Sequence, residues 1–139
     1  MEFIGLFGKK KNIPEGIRVM FYEGDLPGFS CNFPCQIFFG EEYLRITRMN
    51  PEVEVKLPRS RLLSIDVFSE QDYMQKFKGN AGSALRRGDV NKGFYVIYYL
   101  DKEGNKKHID VWAVSFEAQK MWKLRETIAQ KQGSMSYEI

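Results

Sequence analysis

Cysteine and histidine are scarce in this chain: two cysteines, Cys31 and Cys35, and one histidine, His108, stand among 139 residues. A structural zinc site needs four nitrogen or sulfur ligands, so these residue types exclude one, and no metal or cofactor is expected. Cys31 and Cys35 do not make a Cys-x-x-Cys pair and Pro34 stiffens the chain between them, so they read as two free thiols, with Cys35 facing a core. Long apolar runs are missing too. None approaches the ~20 residues that cross a bilayer, and the first residues lack the apolar core and small-residue cleavage site of a secretion signal, so a cytoplasmic chain is expected. A strong excess of one charge is also lacking, because a net charge of +3 implies neither a nucleic-acid nor a membrane partner by itself.

Catalytic motifs are absent as well. Gly79, Gly82 and Gly88 do not fall at phosphate-loop spacing, and neither Glu41 with Glu42 nor Glu52 with Glu54 lies in a pocket-forming segment. His108 and Asp110 share one face of a strand, but no third group completes a triad, so they read as a solvated surface pair. An enzyme is not expected, nor is a small-molecule substrate.

What is present is a globular mixture, 43% hydrophobic and 28% charged, of a length that suits one domain with its own core. Period-2 alternation marks most of it as strand. Ile17, Val19 and Phe21 alternate with Arg18, Met20 and Tyr22. Cys35, Ile37 and Phe39 follow, then Tyr43 to Arg48. After the Asn50-Pro51 turn, Val53, Val55 and Leu57 alternate with acids and a lysine, and Leu63, Ile65 and Val67 make a fifth strand. Four tight links in a row imply a meander. Phe94 to Leu100 is apolar or aromatic throughout, which suits a strand covered on both faces. Asp101 to Asn105, with Gly104 for a left-handed turn, joins it to Ile109, Val111 and Ala113. Ser115 can cap a closing amphipathic helix carrying Ala118, Met121, Leu124 and Ile128, and Arg125 within its stripe should run along the core's rim or meet a carboxylate. The expected core includes Ile37, Leu44, Val55, Ile65, Ile97, Val111 and Leu124.

Two segments hold the positive excess. The first is an N-terminal arm, residues 1–12, in which Phe3, Ile4, Leu6 and Phe7 precede Lys9, Lys10 and Lys11; as a membrane arm it would insert its apolar residues while the lysines meet anionic lipid, and the plainer reading is a frayed or docked arm. The second is a long loop at 69–93, with a helical turn around Asp72 to Phe77. Its Lys76, Lys78, Arg86, Arg87 and Lys92 form a candidate contact for an anionic partner, and the plainer reading is a solvated loop. The loop from Glu23 to Phe33 carries two acids and no base.

This order of elements resembles the pleckstrin-homology (PH) superfold in its bacterial PH-like form. The resemblance rests on Gly93-Phe-Tyr-Val-Ile-Tyr-Tyr-Leu-Asp-Lys-Glu-Gly-Asn-Lys-Lys-His-Ile-Asp-Val followed by a helix from Ser115 to Lys131, and on Val55-Lys-Leu-Pro-Arg-Ser-Arg-Leu-Leu-Ser-Ile-Asp, and it covers Ile13 to Gln132. It implies a mainly β domain at 13–132, about seven antiparallel strands in two packed sheets closed by one C-terminal α-helix, with a tail at 133–139. It also implies a binding module rather than an enzyme. Many eukaryotic members hold phosphoinositides with basic residues on the first strand and first hairpin loop; here that loop is acidic, which argues against a headgroup site of that kind. The expectation is therefore a non-enzymatic PH-like binding or scaffolding module acting in protein interaction or self-assembly. The alternative is a peripheral binder of anionic membrane surfaces through the arm and the basic loop. Nucleic acid is not expected, since the strand faces lack a basic, aromatic stacking platform.

Overall fold

The computed structural model describes residues 16–49, 52–79 and 92–133, with side chains to residue 129. It is mostly β: β1 (Ile17–Gly24), β2 (Phe33–Phe39), β3 (Tyr43–Arg48), β4 (Val53–Pro58), a 3-10 turn (Arg59–Arg61), β5 (Leu62–Ser69), α1 (Glu70–Lys78), β6 (Gly93–Leu100), β7 (Lys106–Ala113) and α2 (Ser115–Gly133). Seven antiparallel strands and a C-terminal helix are as expected. The N-terminal arm, Arg86 and Arg87 lie outside the described residues.

Two packed sheets were expected, but the strands form one sheet in the order β4-β3-β2-β1-β7-β6-β5. The reason is β1, which pairs on both sides, Val19 opposite Cys35 of β2 and Phe21 opposite Val111 of β7. The meander also needs correction at its fourth link. Strands β1 to β4 are neighbours in turn, and so are β5 to β7, but β4 and β5 are the two edges of the sheet and only Arg59–Arg61 connect them. Six strand spacings would hold the edges of a flat sheet about 29 Å apart, whereas the step from Pro58 to Leu62 spans at most about 14 Å. The sheet therefore curls until its edges approach at that end. No β4–β5 ladder closes it into a barrel among the described residues.

The alternating apolar positions line the inner face, which α2 covers with Met121, Leu124 and Ile128. Ile37, Leu44, Ile65, Ile97, Val111 and Leu124 are buried there as expected. Val55 is only half-buried, because β4 is an edge strand and Leu57 takes the buried place on it. Ser115 is the first helical residue, at φ 56°, and the Val114 carbonyl accepts the backbone N–H groups of Glu117 and Ala118. Among the described residues Arg125 meets no carboxylate: its Nε donates to the Ile65 carbonyl at 3.1 Å and so covers the edge strand β5. Gly104 does adopt the left-handed turn, φ 86°.

The segment expected to be a long loop contains a nine-residue helix. The Ser69 hydroxyl accepts the Asp72 N–H at 3.1 Å, Glu70 and Asp72 complement the positive end of the helix dipole, Lys76 and Lys78 the negative end, and Gly79 at φ 73° stops it. This helix packs on the other face of β5 and β6, so β6 is buried on both sides.

Candidate functional site

On the outer face of the sheet, positions that strand alternation would leave to solvent are aromatic or aliphatic instead. Tyr22 of β1, Phe68 of β5, Phe94, Val96 and Tyr98 of β6 and Trp112 of β7 make a second core with Tyr73, Met74 and Phe77 of α1. Tyr73 stacks on Phe94 with ring centres 4.5 Å apart and on Phe77 at 4.9 Å, and Tyr22 meets both Tyr73 and Phe94 edge-on. Helix α1 is the lid of this half of the face.

Beneath the lid lies an acid. Asp110 is fully buried, so the expectation of a solvated His108–Asp110 pair fails for the carboxylate: α1 covers the outward face of β7 as well as β6. One carboxylate oxygen accepts the Tyr73 hydroxyl, and the other lies 2.6 Å from His108 Nδ1, within hydrogen-bond distance. Burial pushes the Asp110 carboxyl above the ordinary carboxylate range, while its bonds to Tyr73 and His108 pull the other way. Burial, with the carboxylate alongside, likewise holds the Tyr73 phenol well above its usual value and keeps it a donor. The His108 ring is flanked by Phe77 and Tyr98, with ring centres 5.4 and 5.8 Å away. Tyr73 thus serves the same acid as the imidazole does, and the trio fastens α1 to β7. The thiols belong elsewhere. Cys31 is exposed in the β1–β2 connection, and Cys35 is buried in the inner core, its thiol pushed up to about 12 by burial. Among the described residues no three His, Cys, Asp or Glu side chains are grouped to hold a metal ion.

No described element covers the rest of the outer face. A mostly apolar groove of about 660 Å³ crosses β3, β2, β1 and β7, its floor formed by Met20, Pro34 and Trp112 with Thr47 alongside. Phe33, Arg48, Met49, Arg18 and Glu117 also line it. Met49 is 62% exposed. The Trp112 indole N–H donates to Asn32 Oδ1 at 2.9 Å, which fixes the ring between the covered half and the groove. Lys92 lies over the same ring, 4.5 Å from its centre.

The basic cluster expected on the loop is not assembled by its described members. Lys78 pairs with Glu23, which holds its ammonium above the ordinary lysine value, and Lys76 sits over the rings of Phe68 and Phe77. Lys92 is 3.9 Å from Glu70, at the opposite end of α1 from Lys78, a helix length of roughly 12 Å away. Sequence reasoning missed Met20, Thr47, Met49 and Trp112. The available signal was apolar residues in the outward phase of β1 and β7, where a half-solvated sheet should be polar. Among the described residues no helix is long and apolar enough to cross a membrane. The chain matches no model of a known protein family, and a comparison with curated proteins gives no match.

Proposed function

We propose that this chain is a non-catalytic, PH-like binding module that docks a segment of a partner protein in the Trp112 groove. The PH-like reading is supported by the antiparallel order and by the single C-terminal helix on the inner face. The observation that carries the functional reading is the contrast between the two halves of the outer face. One half is covered by the chain's own α1, and the other is a large apolar groove rimmed by polar groups, the kind of surface that marks an interaction site. Anionic-surface binding is the lesser reading, because Lys78 and Lys92 already face carboxylates.

The test is a peptide-display selection against the full chain, followed by amide and indole NMR shifts. Selected peptides should shift Met20, Thr47, Met49 and the Trp112 indole, and Met20→Glu should abolish binding. Shifts confined to α1 or to the basic residues would reject the groove.

A further inference from the structure

We infer that the segment docked in this groove is an acidic amphipathic helix, an inference that rests on the groove being a docking site. Strands β3, β2, β1 and β7 each have a partner on both sides, so an added strand finds no edge to pair with, and recognition falls to side chains. The groove spans three strand spacings, about 14 Å, which matches about nine residues of helix and anchors at i, i+3 or i+4 and i+7.

Two methionines and a half-exposed tryptophan form a soft surface able to mould to a helix face. Among the described residues the groove lining carries two cations, Arg18 and Arg48, and the Arg48 guanidinium keeps its charge while donating to the Gly28 carbonyl. Its one lining acid, Glu117, is already engaged, its Oε1 accepting the Arg18 backbone N–H at 2.9 Å and lying 3.6 Å from Lys120. A segment with carboxylates flanking its apolar stripe meets this rim favourably. The chain's own arm, with Lys9, Lys10 and Lys11 behind Phe7, brings like charge, and a second copy would present the same basic rim.

The experiment titrates the full chain with two labelled peptides of about 14 residues, long enough to carry a helical stripe. Both have leucines at helical spacing; glutamates fill the other face of one and lysines that of its counterpart. By fluorescence anisotropy at low salt the glutamate peptide should bind about three- to tenfold more tightly, as a few exposed charge pairs allow, and added salt should shrink the difference. Arg18→Glu should narrow or reverse the preference. Met20→Glu should abolish binding of both, with Thr47→Glu as the second floor variant if the first loses its circular-dichroism spectrum. Equal binding of both peptides, removed by Met20→Glu, would overturn the acidic partner and leave the docking reading in place. Binding of the glutamate peptide only after Phe3, Ile4, Leu6 and Phe7 are replaced by serine would show that the arm is the occupant. Dimerisation abolished by Met20→Glu would make a second copy the occupant. Binding by neither peptide, with or without the arm substitutions and with no dimer, would overturn both readings.

Discussion

Asp110 is the residue on which the outer face turns, because a buried carboxylate is tolerated only while its partners stay in place. Its folded-state pKa is raised, so the folded protein holds this proton more readily than the unfolded chain does. The stability owed to Asp110 is then complete below the ordinary carboxylate pKa and is lost as pH rises through the raised folded value. Asparagine can accept the Tyr73 hydroxyl but cannot titrate. Denaturant melts of wild type and Asp110→Asn should therefore diverge with pH, wild type gaining on the variant as pH falls from neutral; a difference constant with pH would show that the carboxylate does not titrate differently on folding. Tyr73→Phe keeps the ring stack and removes one donor from the buried acid. It should cost about 1–3 kcal/mol in the same melts at neutral pH. The basic residues behave similarly as supports. Nine cations among the described residues lie within 6 Å of a ring centre, including Arg48 over Phe33 at 3.9 Å and Arg59 over Phe39 at 4.1 Å. The usual frequency is about one energetically significant case per 70–80 residues, so much of this chain's positive charge lies against its own aromatic surface.

At the scale of elements, α1 is the piece that sequence reasoning undervalued. Its signals were all present: Ser69 as cap, Glu70 and Asp72 in the first turn, Lys76 and Lys78 in the last, Gly79 as stop. Several glycines nearby outweighed them, and a nine-residue helix has too short an apolar stripe to announce itself by periodicity. The strands were legible because one-sided burial imposes period 2, and α2 because its stripe runs on to Ile128. The groove was not legible, since its floor takes single residues from separate strands and only the register brings Met20 beside both Pro34 and Trp112. The burial of Asp110 was hidden for the same reason: the lid comes from a segment 37 positions away. Ser69→Ala removes the cap, so it should lower global stability by about 0.5–2 kcal/mol. Amide exchange within 70–78 should quicken more than in β2 or β3. Uniform acceleration across the sheet would mean that α1 does not open separately.

At the scale of the molecule, the sheet carries two cores on opposite faces, and β6 contributes to both. Ile97 has no exposed surface at the centre of that strand. Ile97→Ala should cost about 2–5 kcal/mol in denaturant melts, and a loss below about 1 kcal/mol would place it outside the core. The two meanders, β1 to β4 and β5 to β7, are each assembled from near neighbours in sequence. They meet in one ladder, β1 with β7, where Phe21 lies opposite Val111, 90 positions along the chain. That ladder sets a kinetic seam. Each meander can form locally, but the pairing that joins them must wait for a long-range closure hinged at Arg59–Arg61, and such closures are the slow steps of β folding. Val111→Ala, at the seam, should therefore slow refolding in stopped-flow experiments, whereas Leu57→Ala, on the outlying edge, should act chiefly by hastening unfolding. The converse partition of rates would place the barrier inside one meander.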